Sequence, residues 1–383
     1  MTDRSTPLPR IVFIINSIGS GGAERALGRI LSAAGNRHEH YEMHLVLLDR
    51  EPEMRKLPAL AGRHCLDARG RLWRSTIRLR ALLTRLQPKL VVSLLIRANM
   101  ATAAVAPGLG ARTILCERMH LSSHLAGRYR GIALAGLRAL VRYLYPRANH
   151  VLAVSEGVRH DLIDTAGLAP DRVTTINNPY DLERIAAEGS QAPEIALPPA
   201  FMVAVGRLVT AKGFALLIDA YADADPALPL LILGEGPDRI RFEAQVAAAG
   251  LGERIRFPGF LANPFAVMAR ATFLVSASHN EGFPNALAEA MALGLPVIAT
   301  DCPSGPADLL GAGAGGPGRV TEAPYGLIVG DGDRAGLATA IRKMMDDADL
   351  RTRLGAAGLL RIEDFRIERI AADYWAVFDA FMN

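Results

Sequence analysis

Short apolar runs without alternation, each followed by a loop and usually a helical pattern, constrain this chain more than any other feature. They stand at 11–15, 44–48, 90–95, 112–116, 150–154 and 173–176. A strand covered on both faces has no solvent side, so its sequence loses the in-out alternation of an exposed sheet. The rhythm stops over 191–200, a stretch rich in Ala and Pro, and restarts at 201–205, 229–233, 254–257, 272–276, 295–299 and 326–329. A length of 383 residues exceeds what one hydrophobic core usually serves. The expectation is an α/β protein with two parallel sheets, one in residues 1–190 and one in 191–364. Pro198 and Pro199 resist helix and strand pairing, which makes 191–200 a hinge between the halves. Ile370, Tyr374, Val377 and Phe381 recur at helical spacing, so 365–383 reads as a closing amphipathic helix that returns to the first domain.

Composition excludes several classes. Half the residues are hydrophobic and 21% are charged, far from the disordered regime. Cys65, Cys116 and Cys302 lie far apart, without the paired spacing of a zinc site or disulfide framework, which fits a reducing cytosol. The polar, proline-containing first ten residues do not read as a signal peptide. The longest apolar helical stretch, 132–144, is cut by Arg138 and Arg142 and does not read as a membrane span. Residues 1–190 carry 27 Lys and Arg against 16 Asp and Glu, while 191–383 carry 16 against 23. A basic first half suits nucleic acid, an anionic membrane or an anionic substrate. No basic platform interleaved with aromatics and no helix-turn-helix pattern accompanies the arginines, so nucleic acid is the weakest of the three.

Three clusters carry chemistry. Gly19-Ser20-Gly21-Gly22-Ala23-Glu24 follows the first strand and opens a helix, where glycines admit a close ligand and free N–H groups face an anion. A tight strand-to-helix turn uses the same glycines with no ligand. Gly206-Arg207-Leu208 ends the strand at 201–205, and Lys212-Gly213 precedes the next helix. A planar guanidinium and a point charge at a strand's carboxyl end suit a diphosphate. The third cluster is His279-Asn280-Glu281-Gly282-Phe283-Pro284-Asn285-Ala286-Leu287-Ala288-Glu289. With Pro284 early in the helix, Glu281 sits in the loop before it and Glu289 more than a turn inside, so both carboxylates reach one cleft. Carboxylates accept from sugar and ribose hydroxyls, and the N–H groups of 282–285 reach phosphate or hydroxyl oxygens. The alternative is a loop acid followed by a helix-surface acid.

Together with Val154-Ser155-Glu156-Gly157-Val158, Asn177-Asn178-Pro179, Leu233-Gly234-Glu235-Gly236-Pro237 and Pro258-Gly259-Phe260, these clusters resemble, in order and over nearly the whole chain, the retaining GT-B glycosyltransferases of family 4. The resemblance implies two Rossmann-like domains facing a central cleft, the first for the acceptor and the second for a nucleotide diphosphate sugar, UDP being the expected carrier. It implies that Arg207 and Lys212 bind the donor diphosphate, Glu281 the sugar hydroxyls and Glu289 the ribose. Gly21, Gly22, Gly206, Gly234, Gly236, Phe260, Leu261, Gly282, Phe283, Pro284, Asn285 and Ala286 complete the donor site. Cys116-Glu117-Arg118 and Cys302-Pro303-Ser304-Gly305-Pro306 resemble members that extend lipid-linked or cell-surface glycans. His120 is a further catalytic candidate, with a solvent-facing loop histidine as the alternative.

No metal or other cofactor is expected. Asp223 and Asp225 flank Ala224 beyond a helix and before Pro226, a poor place for Mg²⁺. A glycan or lipid-linked glycan is the expected acceptor, met by a cytoplasmic protein that touches an anionic membrane. Arg71, Arg74, Arg78 and Arg85 along one helix, and Arg128, Arg130, Arg138 and Arg142 around another, motivate that contact. A non-catalytic nucleotide-sugar or glycan-binding protein on the same scaffold is the competing expectation.

Overall fold

The computed structural model describes residues 7–19, 21–52, 57–312 and 320–383, so Ser20 of the first glycine cluster lies outside it. The chain divides into two compact units, Met1–Pro179 with Ile367–Asn383, and Tyr180–Arg366.

The first unit is built on β1 (Arg10–Ile15), β2 (Glu42–Leu47), β3 (Gly62–Cys65), β4 (Leu90–Leu94), β5 (Arg112–Glu117), β6 (His150–Ala153) and β7 (Val173–Thr175). Its helices are α1 (Gly22–Ser32), α2 (Leu72–Leu86), α3 (Ile96–Val105), α4 (Leu121–Arg128), α5 (Gly131–Leu144) and α6 (Glu156–Ala166). The strands pair in parallel in the order β3-β2-β1-β4-β5-β6-β7. Both faces of β1 are buried, which is why its sequence shows no alternation. Ile11, Phe13 and Ile15 join one core with α1, whereas Val12 and Ile14 join another with α2 and α3.

The second unit contains α7 (Leu182–Ser190), β8 (Met202–Val205), α8 (Phe214–Ala224), β9 (Leu230–Leu233), α9 (Arg239–Ala248), β10 (Ile255–Gly259), α10 (Pro264–Met268), β11 (Phe273–Ser276), α11 (Asn285–Met291) and β12 (Val297–Asp301). It continues through α12 (Pro306–Leu310), β13 (Thr321–Ala323), β14 (Gly326–Gly330), α13 (Arg334–Asp346) and α14 (Ala348–Ile362). The sheet order is β10-β9-β8-β11-β12-β14-β13, parallel except for the antiparallel edge strand β13. The last helix, α15 (Ile367–Met382), belongs to the first unit. There Trp375 and Phe378 meet Phe13 edge-on, and the Trp375 indole N–H donates to the Ile30 carbonyl at 2.9 Å.

The boundary expected at 190 moves to 179/180. Helix α7 packs on α10, and the Asn263 amide that caps α10 also donates to the Glu188 carbonyl at 2.8 Å and to Gln191 Oε1 at 3.0 Å. Residues 180–190 therefore belong to the second unit, and 191–200 runs inside that unit instead of serving as the hinge between the two. The crossings fall just after Asn177-Asn178-Pro179 and between Arg366 and Ile367.

Candidate functional site

The second sheet changes direction between β8 and β11, which are neighbours there although β9 and β10 intervene in sequence. Such a switch point opens a crevice beyond the carboxyl ends of the strands. The loop leaving β8 carries Gly206, Arg207 and Lys212, and the loop leaving β11 carries Glu281, so the topology alone brings two of the sequence clusters together.

Contact completes that meeting. Lys212 Nζ lies 2.6 Å from Glu281 Oε1, and the same oxygen accepts from Ser278 Oγ at 2.7 Å. The Ser304 hydroxyl donates to the Glu281 carbonyl, and Thr300 Oγ1 donates to the Ser278 carbonyl at 2.6 Å. Glu281 is 8% exposed and is therefore a fixed group on a hydrogen-bonded base. Ser278, Thr300 and Ser304 were not singled out from the sequence. The only signal was Ser304 within Cys302-Pro303-Ser304-Gly305-Pro306, whose role appears once β12 delivers it under the 278–284 loop.

Two backbone approaches hold the β8 loop against its neighbours. Gly213 has φ +64°, and a Cβ there would stand 1.7 Å from the Ala277 carbonyl oxygen. Gly234 has φ +137°, and its Cβ would stand 2.0 Å from the Gly206 carbonyl oxygen. The N–H of His279 adds a bond to the Ala211 carbonyl at 2.9 Å, and the N–H of Leu208 adds one to Glu235 at 2.9 Å. A Cβ on Gly236 would stand 2.3 Å from the Leu208 carbonyl oxygen, so chain packing accounts for Gly234 and Gly236 without a ligand, whereas a Cβ on Gly206 would meet only ordinary contacts at 3.5 Å.

The remaining residues separate by exposure. The Arg207 side chain projects into solvent and has no ion-pair or hydrogen-bond partner among the described residues. Glu289 is 2% exposed inside α11, which excludes the reading of a helix-surface acid. Phe283 is buried between Tyr180 and Phe365, with ring centroids 6.3 and 5.5 Å away, so its ring packs the interior and only its backbone can face a ligand. Asn285 is held by the Tyr180 hydroxyl at 2.6 Å. Gly282 and Pro284 are buried, Ala286 is half-buried, Phe260 is exposed and Leu261 is buried. Asn280 carries a buried amide oxygen without a partner, one residue from Glu281. Asp223 accepts twice from Arg334, at 2.5 and 2.6 Å, and Asp225 accepts from Arg254 at 2.6 Å, so each carboxylate is engaged by an arginine.

In the first unit Gly21 precedes α1 and Gly22 begins it, both beyond the end of β1. His120 immediately precedes α4, is half-buried, and has Nδ1 2.8 Å from Ser123 Oγ and 3.9 Å from Asp161. Burial lowers its pKa, and the Asp161 carboxylate opposes that shift. The solvent-facing alternative is excluded. The neighbouring Glu117 is fully buried, accepting from the Tyr145 hydroxyl at 2.6 Å, the Arg118 N–H at 3.0 Å and the Asn99 amide at 3.3 Å. Burial nonetheless pushes its carboxyl up to about 7. Arg118 is held by the Tyr374 hydroxyl at 2.6 Å and by Asn178, so the Cys116-Glu117-Arg118 motif is anchored in the interior.

Comparison with known proteins agrees with this architecture. The family model for Glycosyl transferases group 1 matches residues 187–361, and that for Glycosyltransferase Family 4 matches 20–184. An N-acetylgalactosamine-N,N'-diacetylbacillosaminyl-diphospho-undecaprenol 4-alpha-N-acetylgalactosaminyltransferase of Campylobacter jejuni is 33% identical over 234 residues, 61% of each chain. A lipopolysaccharide 1,6-galactosyltransferase of Salmonella typhimurium is 30% identical over 46% of this chain and 50% of its own. The chain thus spans about half to three-fifths of the length of such curated relatives. Among solved structures, HepE of Anabaena in complex with UDP and glucose superposes with a TM-score of 0.75 at 19% identity, over 97% of this chain and 100% of that one. Sucrose-phosphate synthase of Thermosynechococcus elongatus gives 0.76 at 19% identity, over 98% and 99%. With two parallel-sheet Rossmann-like units and these matches along 20–184 and 187–361, the chain belongs to the group 1, family 4 glycosyltransferases of the GT-B fold.

Proposed function

We propose that the protein is a retaining, metal-independent glycosyltransferase that moves a hexose or N-acetylhexosamine from a UDP-sugar to a glycan or lipid-linked glycan, at the cytoplasmic face of a membrane. The observation that carries this reading is the meeting of Lys212 and Glu281 at the switch point of the second sheet, beside an Arg207 free to take an anion. The solved relative in complex with UDP and glucose supports the donor class, and the lipid-linked and lipopolysaccharide substrates in the relatives' names support the acceptor class.

In this reading Arg207 and Lys212 take the two phosphates. Negative charge grows on the departing diphosphate as the glycosidic bond breaks, and preorganised cations at those oxygens lower the barrier. Glu281, held by Ser278 and steadied through its carbonyl by Ser304, accepts from sugar hydroxyls, and Glu289 accepts from the ribose. Positive charge on two side chains takes the place that Mg²⁺ holds in other transferases. In the first unit, the acceptor domain of this reading, His120 is the further catalytic candidate.

Thermal-shift screening of nucleotide sugars identifies the donor, because a ligand that binds only the folded state raises apparent stability. Release of UDP from the stabilising donor in the presence of acceptor is the expected result, whereas stabilisation without release assigns a non-catalytic binding protein. Turnover is expected to survive EDTA; its loss, with rescue by Mg²⁺ or Mn²⁺, rejects the metal-free mechanism. Lys212→Ala and Arg207→Ala are each expected to lower kcat by about two orders of magnitude. Near-normal rates in both overturn the assignment of the site.

A further inference from the structure

Helix α5 reverses the usual surface pattern. A helix that covers a sheet turns apolar residues inward and charged residues to water. Here only Val141 and Leu144 are buried, and the opposite face presents Ile132, Ala135, Gly136, Ala139 and Tyr143, with no charge among them. Ile132 is 93% exposed and Tyr143 65%. Arginines surround this apolar strip: Arg128 and Arg130 precede the helix, and Arg138 and Arg142 lie along one flank, all exposed. Between Glu117 and Glu156 the sequence contains no acidic residue.

A second helix in the same layer repeats the theme. Both α2 and α5 pack against α3. Trp73 and Ile77 on α2 are 57% and 62% exposed, and the Arg74 guanidinium lies 5.1 Å over the Trp73 ring. Arg78, by contrast, donates to the Leu66 and Asp67 carbonyls and is part of the fold. No helix among the described residues is long and apolar enough to cross a membrane.

We propose that α5, aided by α2, is the surface by which the first unit docks on an anionic lipid bilayer, with Ile132 and Tyr143 entering the headgroup boundary and the arginines meeting lipid phosphates. Charge decides the occupant. An apolar strip alone would suit a second copy of the chain, but a copy would bring the same arginines to the contact, and like charges there repel. An anionic surface is attracted by every one of them. The proposal extends the acceptor part of the transferase reading and is tested without it.

The test is sedimentation of the full chain with phosphatidylcholine vesicles, with and without phosphatidylglycerol. Retention is expected only with the anionic lipid and should decline with added salt. Neutralising Arg130→Gln and Arg138→Gln should each weaken binding about fivefold, following the contribution of one cation near such a surface. Ile132→Asp should release the protein from the vesicles while leaving its circular dichroism and its thermal shift with UDP unchanged, since the side chain is fully solvated. A wild-type chain that stays in the supernatant at low salt overturns the proposal. So does retention indifferent to Ile132→Asp and the arginine changes, and so does a dimer, seen by light scattering, that Ile132→Asp dissolves while vesicles retain nothing. Each of those results leaves nucleotide binding, measured separately, to judge the donor site.

Discussion

Glu281 and Glu289 look alike in the sequence and differ in their surroundings. Glu281 is paired with Lys212, whereas Glu289 is enclosed within α11. Glu281→Gln is expected to impair use of the sugar donor while leaving UDP affinity intact, because Lys212 remains to meet phosphate. Glu289→Gln should weaken UDP itself; equal losses for both in calorimetry contradict that division. Glu117 shows a different consequence of burial. Its carboxyl, ordinarily near 4.5, rises to about 7 in the folded chain. Between those values the folded state holds a proton that the unfolded state has released. The stability associated with the neutral carboxyl is complete below 4.5 and is lost as pH rises to about 7, by up to about 3 kcal/mol. Glu117→Gln should flatten the stability of the first unit across that interval, and an unchanged slope in denaturant titrations refutes it. That Glu117 is buried was not legible: a carboxylate at a strand end reads as a surface acid until Tyr145 and Asn99, distant in sequence, close over it.

At the scale of elements, the site is a pair of loops clamped together. The segment after β8 lies on the end of β11 through the N–H of His279 and the near contact of Gly213 with the Ala277 carbonyl. Gly213→Ala would place a methyl group inside that contact and force a positive φ on a residue with a side chain. The expected cost is about 2 kcal/mol or more, together with loss of turnover, because Lys212 is the adjacent residue. Full stability and activity in this variant would show that the loop is not held as described. The strands that frame these loops were legible because burial leaves uninterrupted apolar runs, as in β8 and β11. Short edge strands were not. The sequence of β3, Gly-Arg-His-Cys, contains no apolar run and pairs only because β2 offers it a partner.

For the whole molecule, the last helix completes a unit that begins more than three hundred residues earlier. Trp375 is fully buried against Phe13, and Tyr374 donates to the Ile176 carbonyl at 2.9 Å. Trp375→Ala should destabilise the first unit by about 3 to 5 kcal/mol. Thermal unfolding should show that loss, with the transition of the second unit left in place; a uniform loss in both transitions would mean that the units do not unfold separately. The periodicity of 370–381 announced this helix and its apolar stripe, since local spacing is all that amphipathicity requires. Likewise the chain's own order of apolar runs and glycine loops determined two parallel α/β sheets and the residue types at their carboxyl ends. Tertiary structure alone decided that the first unit ends at Pro179, because α7 packs on α10, far along the chain. It also decided which cations are free. Arg78 is tied to backbone carbonyls, Lys212 is paired with Glu281 and Arg207 remains open, and a charge's partners depend on folded distances that no spacing in the sequence encodes.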